Sequence, residues 1–189
     1  RMLGGDMRLE GGTVQTGTAN GGSGATSAPI IVLRAEGGVT AEGLRQAKEL
    51  SFLARLAPHA SGSTSYAATL AFRRGLPELK VTTNLQGMAL SLPAPMAKSA
   101  QALLPVKFEI ALLRESQLAS ADDSAPLRDQ LTLELGRIGS VTYLREHAAD
   151  HTKVLRGAIG LGLSPDESVG MPGEGVAANI NLNGVDLDA

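Results

Sequence analysis

The sequence predicts a mainly β chain with one main helix, folded as a long, curved and twisted antiparallel sheet that forms a groove-like wall. Three observations predict it. Apolar and polar residues alternate with period two in many short runs, one segment alone has helical spacing, and the alternation changes phase at particular glycines. Alternation marks strands buried on one face, as in antiparallel sheets, whereas strands covered on both faces read as continuous apolar runs.

Taken in order, Met7-Arg8-Leu9-Glu10-Gly11-Gly12 and Val32-Leu33-Arg34-Ala35-Glu36-Gly37-Gly38 are loose copies of one pattern, alternation running into glycine. Between them, a Gly/Ser-rich stretch at about 17–28 reads as a flexible loop. From Thr40, a suitable N-cap, Ala41, Leu44, Ala47, Leu50 and Ala54 follow helical spacing, which predicts the helix near residues 40–56, ended by Pro58 and Gly62. Tyr66, Ala68, Leu70 and Phe72 then resume strand alternation.

Leu79, Val81, Thr83 and Leu85 alternate with Lys80, Thr82, Asn84 and Gln86, and Val106, Phe108, Ile110 and Leu112 alternate with Lys107, Glu109 and Ala111. A short turn or helix is expected over Met96 to Leu103. Leu131, Leu133 and Leu135 interleave with Thr132 and Glu134. Tyr143 to Lys153 reads as a charged connection. Leu155, Ile159, Leu161 and Leu163, and finally Val176, Ala178, Ile180 and Leu182, complete the strand series. Asp122 to Pro126 and Ser164 to Gly175 read as loops.

The heptapeptide Asn84-Leu85-Gln86-Gly87-Met88-Ala89-Leu90 matches Asn181-Leu182-Asn183-Gly184-Val185-Asp186-Leu187. Before Gly87 the apolar positions are odd-numbered; after it Met88, Leu90 and Leu92 are even-numbered, and around Gly184 the switch runs the other way. One extra residue at a glycine bends a strand and keeps its apolar side chains on one face, which is how a long sheet is made to curve.

Composition excludes several functions. Net charge is -2, with 17 basic and 19 acidic residues and Arg73-Arg74 the only basic doublet, so no cationic stripe exists to neutralise nucleic-acid phosphates. There is no cysteine, hence no disulfide or thiolate site. Aromatic residues make up only 3%, which removes the ring platforms on which sugars and bases stack. His147, Asp150 and His151 have the i,i+4 spacing of a zinc site, but Ala148 stands where a metalloprotease helix carries Glu, and the segment reads as a solvated loop. His59 is a loop residue. Gly157, Gly160 and Gly162 fall within a strand pattern rather than before a helix, and Asp186 and Asp188 lack calcium-loop spacing. No nucleophile elbow, phosphate loop or dinucleotide fingerprint is present, so the expectation is a protein that is not an enzyme and needs neither cofactor nor metal.

Thr83 to Lys98, Thr-Asn-Leu-Gln-Gly-Met-Ala-Leu-Ser-Leu-Pro-Ala-Pro-Met-Ala-Lys, resembles a segment of the YhdP branch of AsmA-like proteins, where the pattern is S-D-L-x-G-hydrophobic followed by L-P-x-P-x-x-K. Pro105-Val106, Arg156-Gly157-Ala158-Ile159, Gly173 to Gly175 and Leu187-Asp188 are similar to that family's C-terminal region, so the resemblance covers most of the chain. Thr83-Asn84 departs from the usual Ser-Asp, and Tyr66 from a frequent tryptophan. The resemblance implies a single fragment, residues 1–189, of an elongated β-rich periplasmic protein anchored in the inner membrane of a Gram-negative envelope. Its implied work is carrying phospholipid towards the outer membrane along a hydrophobic groove. Its implied partners are acyl chains, the rest of the parent chain and envelope membrane proteins. The residues expected to line the groove are Leu79, Val81, Leu85, Met88, Leu90, Leu92, Val106, Phe108, Ile110, Leu112, Leu131, Leu133, Leu135, Ile159, Leu161, Leu163, Ile180 and Leu182. The alternative is a structural or adhesive β-rich envelope domain with a closed core and no lipid cargo.

Overall fold

A computed structural model describes residues 3–14, 30–47, 55–118, 126–148, 150–164 and 167–181. The loop expected at 17–28, together with Leu182, the second phase switch at Gly184 and the acidic end at Asp186 and Asp188, lies outside them. The chain is mainly β, and its strands form one large open sheet that does not close on itself.

The ten strands are β1 (Gly4–Val14), β2 (Ile30–Thr40), β3 (Ala60–Arg73), β4 (Leu76–Thr83), β5 (Met88–Leu90), β6 (Val106–Leu112), β7 (Leu127–Leu135), β8 (Gly139–His147), β9 (Thr152–Leu161) and β10 (Gly175–Ile180). They lie side by side in chain order, except that β5 pairs only with β3. At about 4.8 Å per strand the nine-strand path is about 38 Å across. All pairings are antiparallel except that of β10 with β9, which is parallel, so the sheet is mixed at this edge. A parallel neighbour requires a crossover. Here the connection runs back through Leu163 and Val169, both of which lie against Gly160.

Two short helices accompany the sheet, α1 (Ala41–Gln46) and α2 (Arg114–Leu118). Thr40 caps α1 as the sequence predicts, its Oγ1 accepting from Gly43 N at 2.9 Å. The helix is shorter than expected. At Ala47 the backbone leaves helical geometry (ψ 71), and its N–H is shared between the Gly43 and Leu44 carbonyls, the tightened last turn of a helix that is ending. Residues 48–54 of the expected helix lie outside the described residues; residues 55 and 56 are again helical and lead into a 3-10 turn at Ala57–His59. Met96 to Leu103 forms turns rather than a helix. The charged stretch Tyr143 to Lys153 is not a connection: it supplies the end of β8 and the start of β9, and only residues 148–151 separate them.

The phase switch at Gly87 has the predicted geometry. Opposite β3, β4 pairs Val81 with Ala68, and β5 pairs Met88 with Gly62, so β5 continues the line of β4 with the register advanced by one residue. The odd-numbered apolar residues of β4 and the even-numbered ones of β5 thereby fall opposite the same even-numbered face of β3. Gly87 makes the jump at φ 90, its carbonyl accepting from Ser63 N, and a side chain there would collide with the Ser63 carbonyl.

Candidate functional site

Cross-strand neighbours share a face, so the registers assign each paired residue to one side of the sheet. One side collects Leu33 and Ala35 of β2, Ala68 and Leu70 of β3, Leu79 and Val81 of β4, Phe108 and Ile110 of β6, Leu131 and Leu133 of β7, Val141 and Tyr143 of β8, and Ile159 of β9. Ala178 and Ile180 of β10 extend it. The other side carries Arg34, Glu36, Glu78, Lys80, Lys107, Glu109, Glu134 and Glu146, with exposed ion pairs such as Lys107–Glu109 at 2.9 Å. The result is one apolar face continuous over the whole sheet, backed by a charged one.

Among the described residues no second sheet packs on either side. A β-sheet with an apolar face normally buries it against another layer. Here the middle of the face is half-buried only, and no large side chain among the described residues is fully buried. The exception is the corner beneath α1, where Val39, Ala41, Ala60 and Met88 form a closed cluster flanked by Leu3, Leu44, Tyr66, Leu85 and Leu90.

This layout separates the expected lining residues. Leu79, Val81, Val106, Phe108, Ile110, Leu131, Leu133, Leu135, Ile159 and Leu161 stand on the open part of the face, and Ile180 lies at its β10 edge, 54% exposed. Met88, at 2% exposure, belongs to the core under α1, with Leu85 and Leu90 packed against it. Leu112 is buried beside the start of α2, and Leu92 lies past the end of β5. Leu163 turns to the opposite side, against Gly160.

The Pro-rich stretch that carries the family resemblance has an architectural job. Lys98 bridges to Leu90, and its buried ammonium donates to the Met88 carbonyl at 2.7 Å and the Ser99 carbonyl at 2.9 Å. Burial holds it below the usual lysine range. With Gly87 N bonded to Ala100 O and Leu104 N to Asn84 O, this stretch fastens the ends of β4 and β5.

Compared with protein-family models, curated proteins and solved structures, the chain matches none.

The apolar face also contains one polar island, which the strand patterns did not single out. Asp129, Arg145, His147 and Thr152 sit on it side by side, one on β7, two on β8 and one on β9. Arg145 grips Asp129 with two bonds, Nε to Oδ1 at 2.8 Å and Nη2 to Oδ2 at 2.7 Å. His147 Nε2 lies 2.8 Å from Asp129 Oδ2, and its Nδ1 lies 3.1 Å from Thr152 Oγ1. Burial disfavours the Asp129 carboxylate, but hydrogen bonds and charge from Arg145 and His147 outweigh it and hold the carboxyl below its ordinary range. A β-bulge at Leu155 shifts the register of β9 and brings Thr152 opposite His147. The legible signal was a charged residue in the apolar phase: Asp129 precedes Leu131, Leu133 and Leu135 at the same two-residue spacing. The trio considered for zinc is split. His147 points into this island, His151 pairs with Asp150 at 2.6 Å in the exposed turn, and no metal-binding cluster exists among the described residues.

Two glycines on the apolar face lie opposite the only two tyrosines of the chain, Gly37 across from Tyr66 and Gly157 across from Tyr143. The Tyr143 ring occupies the space where a side chain at residue 157 would stand. An aromatic ring laid over a glycine restores the packing that glycine forfeits, so the face stays filled at Gly157, whereas the space at Gly37 is met by Asp6 and Met7 of β1.

Proposed function

We propose that this chain is a wall segment of a hydrophobic groove that carries phospholipid between the inner and outer membranes of a Gram-negative envelope, as part of an inner-membrane-anchored periplasmic protein, without catalysis. The observation that carries this reading is the apolar face running across the open sheet with no second sheet upon it among the described residues, so that its middle, away from the corner under α1, stays uncovered. Leaving a roughly 16-carbon acyl chain in water costs about 12 kcal/mol, at about 0.8 kcal/mol per methylene, so a lipid path needs continuous apolar lining. Aliphatic rows bind a chain without fixing its position along the row, because dispersion contacts are individually weak and interchangeable. The resemblance of Thr83 to Lys98 to the YhdP branch of AsmA-like proteins supports the same reading.

The structural alternative finds support in the covered corner under α1, where the same face is sealed as in an ordinary core. The two readings part on the middle of the sheet. Photo-reactive residues at Ile110, Leu133 and Ile159 are expected to crosslink to phospholipid in envelope preparations, and purified protein is expected to carry phospholipid by mass spectrometry. Crosslinks to protein alone at all three sites, with no copurifying lipid, would favour the closed-core alternative.

A further inference from the structure

We infer that the Asp129–Arg145–His147–Thr152 island is the place where the polar end of an anionic amphiphile is held, with its tail lying along the strands. This rests on the lipid-wall reading and adds to it a position, an orientation and a charge preference.

Charge is otherwise kept off this face. In the paired registers of the ten strands, Arg34, Glu36, Glu78, Lys80, Lys107, Glu109, Arg128, Glu134, Glu146 and Lys153 all fall on the opposite side. A buried ion pair is poor stabilisation, since well-packed apolar residues of similar volume do as well or better. Its presence in the one apolar surface therefore calls for a role other than stability. Depth arranges the island asymmetrically. The Asp129 side chain is 4% exposed, whereas those of Arg145 and His147 are 20% and 17% exposed. Asp129 is the most deeply buried member, and Arg145 and His147 keep part of their side-chain surface in contact with solvent. Arg145 spends Nε and Nη2 on Asp129, and its Nη1 donors form no hydrogen bond among the described residues. Asp129 thus acts as a positioning residue that locks the guanidinium plane, and the remaining Nη1 donors of the partly exposed Arg145 suit a phosphate.

The distance fits a tail. From Asp129 to Leu135 along β7 the strand advances about 20 Å at about 3.4 Å per residue, longer than the about 15 Å half-thickness of a bilayer's hydrocarbon core. Leu131, Leu133 and Leu135 follow Asp129 on the same face, flanked by Phe108 on β6 and Val141 on β8. A headgroup at the island places an acyl chain over these rows, its end near the β7–β8 turn.

The test uses the full chain and uptake of labelled lipid from phosphatidylcholine vesicles, measured by gel filtration. The probes are phosphatidylglycerol and a diacylglycerol with the same acyl chains, with inorganic phosphate as a separate ligand. Wild type is expected to take up phosphatidylglycerol at least about tenfold better than diacylglycerol, the effect of a charge-assisted hydrogen bond. The double variant Asp129→Leu/Arg145→Met replaces the pair by apolar residues and keeps the sheet folded, which circular dichroism checks; it is expected to lose that preference while still taking up diacylglycerol. Arg145→Gln, with Asp129 intact, is a second variant with the same expected loss. A preference unchanged in both variants would overturn the headgroup assignment and leave the lipid wall standing. Uptake of neither lipid by wild type would overturn both. Phosphate binding without lipid uptake would assign the island to a free anion and overturn the lipid assignment.

Discussion

The apolar face is built in two ways. Beneath α1, Val39, Ala60 and Met88 are enclosed by the helix and its flanking leucines, and the face behaves as a core. Over β6 to β9 the same kind of side chain, in the same alternation, stays partly solvated, apart from Leu112 beside α2, because no second sheet covers it among the described residues. The difference teaches that alternation specifies which side of a strand is apolar and says nothing about what covers it. A closed corner contributes stability to the sheet, and an open middle leaves apolar area available to something else.

Truncation should separate the two regions. Met88→Ala, in the closed corner, is expected to cost about 3 kcal/mol through lost burial and a cavity the surrounding structure cannot collapse. Leu133→Ala, in the open middle, is expected to cost about 1 kcal/mol, because part of its surface is already solvated and no closed cavity forms. Urea unfolding of both variants checks this, and equal losses would mean that the middle is as enclosed as the corner.

Next in size is the polar island. Asp129→Ala leaves the Arg145 guanidinium without its partner and is expected to cost about 3 kcal/mol, at the low end for a broken buried pair because Arg145 is partly exposed. The Asp129 carboxyl is depressed in the folded state, so its contribution is present above the ordinary value of 3.8 and is lost as pH falls through the lower folded value. Thermal melts of wild type and Asp129→Asn are therefore expected to differ most near neutral pH and to converge as pH falls below about 3.8. A gap that widened on acidification would contradict the ion-pair account.

The smaller effects sharpen the boundary of the corner. Gly87→Ala places a side chain at φ 90 against the Ser63 carbonyl and is expected to cost about 2 kcal/mol, with hydrogen exchange rising first in β5. Thr40→Ala removes the cap of α1 and is expected to cost about 1 kcal/mol, exposing the corner without disturbing β6 to β9. Changes in exchange over β6 to β9 would show that the two regions unfold as one.

Much of the fold was legible because period-two alternation reports burial directly. β4, β6, β7 and β9 are where Leu79, Phe108, Leu133 and Ile159 place them. β1 and β2 carried glycine-rich patterns that read only as loose repeats, since glycine contributes no side chain to the alternation. β8 was hidden by composition: Arg145, Glu146 and His147 look like a loop, and two of the three are accommodated on an apolar face only because Asp129 lies directly across from Arg145 on β7.

By itself the sequence determined the β class, the capped start of α1, and the one-residue step at Gly87 that keeps Val81 and Met88 on one side. These are local matters of spacing, capping and backbone freedom, written within a few consecutive residues. Only the tertiary structure decided that β10 lies parallel to β9, that Leu163 crosses to the charged side, that Met88 is sealed while Leu133 is open, and that Asp129, Arg145, His147 and Thr152 meet. Each of these depends on pairing between strands or on what lies over them, and residues far apart in sequence carry no local mark of which neighbours they will have.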